Sequence, residues 1–325
     1  MPQIAISEIE AKARSALTRH GAGVAQATDL ARAVAWAEAR GNRICGLYYL
    51  ESYCQQLASG RVQGHVEPDV TRPRPGTVRV DAGYGFAQTA FARALPEALA
   101  AARENGTAQL AVSHAHTCTA LGYFTEQIAA AGFVCLGATN ASPIVAPPGG
   151  KARVIGTNPV AFAVTDGAGG VAMAFDQSTT AVALGRITMA KAAGEAIPEG
   201  WALDAEGQPT TDPDAALKGS LASAGGYKGW GFGLMAEILA AAMTGSTLSR
   251  DVKPLKAPEG APHDLGQFYL IVDPGVEPGF AERLARLAEA VSADGVGRMP
   301  GQGRVPMTNV EVPTALIAQL DDLAG

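Results

Sequence analysis

Apolar residues recur every three to four positions from Ile6 to Arg19, a spacing that gathers them on one face of a helix. Ser7 followed by Glu10 reads as a capping box at its start. Residues 23–40 repeat the helical pattern up to Gly41, and residues 46–58 repeat it up to Gly60. Beyond these Ala-rich helices the period changes. Thr77 to Asp81 alternates as a short strand, Gly83-Tyr84-Gly85 reads as a turn, and Ala87 to Asn105 is a helix closed by Gly106. AQLAVS (108–113) has the apolar run of a buried strand, Thr119 to Gly132 returns to a helical face, and FVCLGAT (133–139) is strand-like again. Strand, helix and strand in alternation predict an α/β chain with a parallel or mixed sheet. Residues 140–164 are dense in Pro, Gly, Asn and Ser, with one apolar strand at their end; a long loop at strand C-termini is a place for function. VAMAFDQST (171–179) reads as strand then turn, a helix carrying Lys191 is expected from near Thr180, and residues 197–213 read as a polar surface loop. Gly225 to Gly233 opens an apolar helix, residues 266–275 form a strand and turn, a helix follows at 279–293, and the chain closes on a short helix.

Composition narrows this picture. With 325 residues and 47% hydrophobic side chains, the chain is long enough to bury a large core. A formal net charge of −6 and the lack of any Lys/Arg run beyond two residues argue against a nucleic-acid or anionic-membrane partner. No apolar stretch reaches the roughly 18 uninterrupted residues of a membrane span, and the first twenty residues lack the apolar core of a signal peptide. The four cysteines, Cys45, Cys54, Cys118 and Cys135, form no CxxC pair and suit reduced thiols, so a cytoplasmic location is expected.

Candidate chemistry concentrates in SHAHTCTALGYF (113–124), which holds two of the five histidines. His114 and His116 at strand spacing would share a face, yet no further ligands occur at recognisable spacing, so a metal site is not expected. Cys118 beside His116 could be a nucleophile pair, a packed strand end is the bland alternative, and a histidine at a strand C-terminus with a pKa near neutrality suits proton transfer. GFGLMA (231–236) matches GxGxxA, but a loop rather than a strand precedes it, which weakens a Rossmann reading. GGYKGWG (225–231) nonetheless offers backbone N–H groups at a helix start with Lys228 beside them, an anion site or a plain turn. GTNP (156–159) and TNASP (139–143) either orient an amide or form turns, Asp176 is an N-cap or orients a substrate nitrogen, and RMPGQGR (298–304) either clamps a phosphate or is an exposed turn.

Several of these runs occur together and in order: ALGYFTEQIAAAGFV (120–134), TNASPIVAPPGGKARVIGTNPVAFAV (139–164), FDQSTTAVALGR (175–186), IPEGWALDAEGQPTTDP (197–213), GGYKGWGFGLMAEIL (225–239), GQFYLIVDP (266–274) and RMPG (298–301). The combination resembles the malate/L-lactate dehydrogenase family, NAD(P)-dependent oxidoreductases without a Rossmann domain, which includes ureidoglycolate and sulfolactate dehydrogenases and reductases of Δ1-pyrroline- and Δ1-piperideine-2-carboxylate. The resemblance covers nearly the whole chain. It implies a non-Rossmann α/β fold with a mixed sheet and N-terminal helices, a homodimer, and a site between a substrate and dimerisation domain (1–119 with 290–325) and an NAD(P)-binding domain (120–289). It also implies cofactor contacts from Asn140, from Gly156, Thr157, Asn158 and Pro159, from Gln177 and Ser178, from Gly226, Lys228 and Gly229, and from Arg298 and Gly301.

Two departures redirect the expected chemistry. The family's Ser-His-Gly run and following arginine correspond here to Ile44-Cys45-Gly46 and Tyr49, so Arg43, Cys45, Tyr48 and Tyr49 become the substrate-side candidates. Counting back from Gly122, the family's Asn-His-Phe-Gly histidine falls at Thr117, one residue after His116. The resemblance therefore implies His116 as the acid–base residue, Thr117 as its helper and Asp176 as a third catalytic group. The expected reaction is hydride transfer from NADH or NADPH to C2 of a small 2-oxo acid or cyclic 2-imino acid, the loss of the arginine favouring a less anionic substrate. A catalytically divergent member that binds a cofactor or metabolite is the alternative.

Overall fold

The computed structural model describes residues 2–276 and 278–325. The chain begins with β1 (Gln3–Ala5), α1 (Ile6–Arg19) and α2 (Val24–Ala39), then two tight 3-10 turns (Arg43–Cys45 and Leu47–Tyr49) that lead into α3 (Leu50–Ala58). There follow β2 (Asp69–Arg74), β3 (Thr77–Asp81), α4 (Ala87–Asn105), β4 (Thr107–Ala115), α5 (Gly122–Ala130), β5 (Val134–Thr139), β6 (Val160–Thr165), β7 (Val171–Gln177) and α6 (Leu184–Ala193). The remainder is β8 (Ala202–Leu203), β9 (Pro209–Thr210), α7 (Pro213–Lys218), β10 (Ser220–Leu221), α8 (Tyr227–Glu237) running into a π-helical turn (Ile238–Ala242), β11 (Leu265–Val272), α9 (Phe280–Ser292), β12 (Asn309–Glu311) and α10 (Thr314–Ala324).

One seven-stranded mixed sheet in the order β2-β3-β4-β11-β5-β6-β7 organises the molecule. Among its ladders β3–β4 is parallel, as a strand–helix–strand crossover through α4 requires, and the others are antiparallel. β11 enters from late in the sequence and pairs with both β4 and β5, so the strands flanking α5 run in the same direction without touching. A boundary between residues 119 and 120 lies just beyond β4, and strands on both sides of it share this sheet.

Val78, Val80, Leu110 and Val112 alternate inward beneath the small-residue face of α4. Phe91, Phe124 and Tyr269 meet there edge-on or tilted at 4.9–5.9 Å, geometries worth about 0.5–1.5 kcal/mol each beyond burial. On the sheet's other side the π-helical turn presses onto β11, where a side chain at Gly266 would collide with the Ala240 carbonyl. A separate core joins α1, α2 and α3 to α10 and to the β1–β12 pair, tying both ends of the chain together. A smaller core, built on Val145, Ile155, Ile187 and Leu221, supports β8–β10, α6 and α7.

The structure corrects several local expectations. α1 starts at Ile6 with Ala5 at the N-cap and no side-chain cap, so Ser7 and Glu10 form no capping box; the Ile6 N–H instead donates to the Thr308 carbonyl across the β1–β12 junction (2.9 Å). Leu47–Tyr49 form a 3-10 turn, so the helix expected from residue 46 begins at Leu50. The helix after Asp176 begins at Leu184, not Thr180, and residues 197–213 are not plain loop, since they carry β8 and β9. His114 and His116 do not share a face: His114 takes a left-handed φ of 49°, which breaks the strand's alternation between them.

Candidate active site

The site is shaped first by a buried carboxylate. Glu38, near the end of α2, accepts the Leu47 N–H at 2.7 Å, and a Cβ at position 46 would collide with its carboxylate. Only glycine lets the chain wrap this closely, which explains Gly46. Burial pushes the Glu38 carboxyl above the usual range, against the opposing pull of the Leu47 N–H and Arg43. The wrap turns Cys45 and Tyr49 inward and leaves Arg43 and Tyr48 exposed. Tyr49 stacks on buried Tyr53 (5.8 Å, 27°), whose hydroxyl bonds the Thr119 hydroxyl at 2.7 Å.

Asp176, next to the last residue of β7, lies against this wall. Its Oδ2 accepts the Gly122 N–H at the start of α5 (2.8 Å), and a side chain at Gly122 would crowd the Asp176 Cβ at 3.1 Å. Solvent still reaches the carboxyl, which lines a cleft of about 360 Å³ with Trp36, Arg40, Arg298 and Arg304. Protein crowds it on its other sides, and that desolvation raises its pKa although the N–H groups of Gly122 and Leu121 pull the other way. Arg40 pairs with Glu126 at 2.6 Å and lies over the Trp36 ring, 4.1 Å from its centroid. Burial first, and the charge of Asp176 next, push the Cys45 thiol up to about 12 and the Cys118 thiol upward as well. Cys45, Cys118, Tyr49 and Asp176 thus form one neighbourhood at the junction of the N-terminal helices with the sheet.

His116 occupies a different, sealed neighbourhood. It is buried just past β4, its Nε2 lies 2.7 Å from Gln56 Oε1, and its ring stacks on His263 (4.0 Å, 13°) with Tyr53 and Phe86 edge-on. Desolvation, then His263 and Arg61, depress its pKa well below the usual histidine value. His114 instead turns to the surface and meets Asp81 at 3.0 Å. Thr117, half-buried, accepts the Thr119 N–H in a local turn (3.4 Å). Among the described residues no group of three or more His, Cys, Asp or Glu is arranged to hold a metal.

The expected cofactor residues divide by what they have left to offer. Asn140 donates to the Thr247 carbonyl and accepts from the Gly266 N–H. Asn158, fully buried, donates to Glu237 and the Gly233 carbonyl and accepts from Ser249. Both amides are therefore consumed in holding loops. Gly156 lies too close to the Ala141 carbonyl for any side chain, the Thr157 carbonyl accepts the Thr179 N–H, and the Pro159 carbonyl accepts the Thr139 N–H. Ser178 bonds Thr180, and Gln177 closes β7 in an exposed position beside Asp176. Gly229 packs on Ala224 and Thr179, which places the glycine-rich loop against the turn that follows Asp176. There Gly225 and Gly226 take positive φ, stand open with nothing within 4 Å of a built Cβ, and lead into α8 with Lys228 exposed in its first turn. Open backbone N–H groups and a cation at a helix N-terminus are a combination that suits phosphate groups. Gly301 packs under the Ala174 carbonyl, and the Ala174 N–H donates to the Pro300 carbonyl, which pins Arg298 at the cleft rim.

Sequence reasoning missed Gln56, Arg61, His263 and Glu38. Gln56 alone left a trace, a polar residue on the buried face of α3 between Tyr53 and Leu57.

Comparison with known proteins agrees with this architecture. The model of the malate/L-lactate dehydrogenase family matches residues 4–308. The chain is 38% identical over 326 aligned positions to a Δ1-pyrroline-2-carboxylate/Δ1-piperideine-2-carboxylate reductase of Pseudomonas putida, covering 99% of this chain and 95% of the relative. It is also 38% identical to a (2R)-3-sulfolactate dehydrogenase (NADP(+)) of Chromohalobacter salexigens, covering 98% and 96%. The crystal structure of Δ1-piperideine-2-carboxylate reductase from Pseudomonas syringae pvar. tomato superposes with a TM-score of 0.88 at 31% identity, covering 99% of this chain and 100% of that one. The chain belongs to the malate/L-lactate dehydrogenase family and is an NAD(P)-dependent oxidoreductase with that family's non-Rossmann mixed α/β fold.

Proposed function

We propose that this protein reduces a small cyclic 2-imino acid of the Δ1-pyrroline-2-carboxylate kind, or a related 2-oxo acid, with Asp176 as proton donor. The observation that carries the assignment is a carboxyl held by the Gly122 N–H and open to a cleft of about 360 Å³, with desolvation by its neighbours raising its pKa. When bound, the reduced nicotinamide supplies a hydride to C2 of the substrate. Asp176 holds a proton on its carboxyl and passes it to the imine nitrogen as the C=N electron pair moves onto that atom; solvent at the cleft mouth then restores the proton. Gly122 fixes the Asp176 carboxyl through its N–H. Cys45, Tyr48 and Tyr49 wall the substrate, and the open loop at Gly226–Gly229 with Lys228 takes the cofactor phosphates. Gln177 and Ser178, next to Asp176, and Arg298, at the cleft, complete the cofactor contacts in this reading. His116 is not the donor in this reading, because its ring is enclosed and its Nε2 already engaged.

The reading extends to a cytoplasmic homodimer, with residues 1–119 and 290–325 as the substrate and dimerisation part and 120–289 as the NAD(P)-binding part. The packing of α10 and β12 on the N-terminal helices supports the first grouping, and the exposed Tyr227, Phe232 and Ile238 support a further interface. No helix among the described residues is long and apolar enough to cross a membrane. The test is loss of NADH or NADPH absorbance against a panel of cyclic imino acids and 2-oxo acids. Turnover of none with intact cofactor binding would favour the divergent, cofactor-binding alternative.

A further inference from the structure

The wall formed by Tyr48 and Tyr49 carries a cation brought from far along the chain. Lys256 Nζ lies 3.3 Å from the centroid of the Tyr48 ring and 4.5 Å from that of Tyr49. Among the described residues it has no carboxylate partner within 4 Å. Exposed lysines ordinarily wander in water; this one belongs to a segment fixed from beneath. Gln56 Nε2 donates to the carbonyls on both sides of it, Leu255 and Ala257, each at 2.8 Å. Arg61 adds donations to the carbonyls of Pro254 and Ala261 at 3.0 Å each, and to that of Ala257.

The buried histidine now has a use. With both amide hydrogens of Gln56 committed to carbonyls, its Oε1 must accept, so His116 carries its proton on Nε2 and donates it at 2.7 Å. His263, seven residues beyond Lys256 in the same segment, stacks on the His116 ring. A sealed polar cluster, closed to any substrate, thus sets the position of one free ammonium against the two tyrosines of the substrate wall. Tyr49 in turn belongs to the neighbourhood of Cys45 and Cys118 beside Asp176. An ammonium held over aromatic faces is partly desolvated and already placed, so it gives up little on meeting an anion. Arg298 and Arg304 line the cleft on the Asp176 side, where Pro300 pins the chain to β7, and not the Tyr48–Tyr49 wall.

We propose that Lys256 binds the carboxylate of the substrate, held at the Tyr48–Tyr49 wall by the buried Gln56–Arg61–His116–His263 clamp. The inference rests on the reading of this site as an imino- or oxo-acid reductase and names the group that recognises the acid.

The experiment measures steady-state kinetics on the imino acid, and calorimetric binding of pyrrole-2-carboxylate to the NADP⁺-loaded protein. That probe has the ring and carboxylate of the substrate but no reducible C=N bond. Lys256→Ala is expected to raise KM and the probe's Kd roughly ten- to hundredfold. It should leave kcat within about threefold and cofactor Kd unchanged, because the group meets substrate and transition state alike. Lys256→Arg should restore most of the loss, and pyrrole-2-carboxamide, which lacks the charge, should not distinguish wild type from Lys256→Ala. Gln56→Leu should raise KM in the same direction and be non-additive with Lys256→Ala, a pattern that mere loss of stability would not give. Unchanged KM and probe affinity in Lys256→Ala, with the wild type active, would overturn the inference and leave the function standing. A wild type that neither turns over nor binds any of the acids would overturn both.

Discussion

Tyr53 touches two polar neighbourhoods that treat burial in opposite ways. On one side His116, His263, Gln56 and Arg61 are shut from solvent, and burial drives both histidines to their neutral forms, His263 to about 3. On the other, Asp176 and Cys45 are crowded but reachable, and burial keeps protons on them at pH values where they would normally leave. Desolvation is the first cause in each case and favours the uncharged form. What separates the two is access. A neutral group packed out of reach of solvent can brace a loop; a protonated group at the edge of a cleft can give its proton away.

The largest expected effect tests that assignment directly. Asp176→Asn should lower kcat by about two to four orders of magnitude and remove the alkaline limb of the pH profile. The limb exists because the protonated carboxyl is the working form, so activity falls as pH rises through its raised pKa. His116→Asn should cut kcat by less than about tenfold while lowering the melting temperature, as a structural donor would. The reverse pattern, with His116 controlling the pH limb, would return the proton to the histidine.

A second expectation concerns stability against pH. An unfolded histidine binds a proton below about pH 6.5, whereas folded His116 and His263 resist it, so the unfolded state binds more protons as pH falls. Stability should therefore decline below about pH 6.5 with a slope approaching about 3 kcal/mol per pH unit while both groups contribute. Asp176 and Glu38 act with the opposite sign: their raised pKa values favour the folded state as pH falls through them, which offsets part of the loss at the lower end of the window. Denaturant midpoints across pH 5 to 7 measure the slope, and His263→Phe, which keeps a stacking ring, should roughly halve it. A slope that His263→Phe leaves intact would show that the sealed cluster is not its source.

The outlines of this comparison were legible in the chain, and its internal wiring was not. The period of apolar residues marked α1, α2 and α4, and the alternation in 77–81 marked β3, because each buries one continuous face. The family resemblance implies roles for Asp176 and the Gly225–Gly229 loop, and the structure leaves Asp176, Gly225 and Gly226 exposed. β2 went unread because Pro73 and two arginines sit in an edge strand, and β8 to β10 are two-residue pairs with no period to detect. The place of His116 at a strand end suggests a proton donor. What decides its situation is Gln56, sixty positions earlier, and His263, far later. A contact of that separation leaves no mark in local pattern.

The smallest effect concerns Cys45, which shares the open neighbourhood with Asp176. Only the thiolate alkylates readily, and a rise from 9.0 to about 12 leaves about a thousandfold less of it at a given pH than an unperturbed thiol has. Cys45 in the native protein should therefore react with iodoacetamide far more slowly than in the urea-unfolded chain, followed by mass spectrometry of the Cys45 peptide. Desolvation causes most of the rise and cannot be removed by one substitution, but the charge of Asp176 contributes as well. Asp176→Asn, which removes that charge, should speed the reaction at Cys45 by about severalfold and leave buried Cys54, distant from Asp176 in its influences, unchanged. Equal rates at Cys45 in both proteins would mean that Asp176 and Cys45 do not share one electrostatic site, and the open neighbourhood would have to be divided.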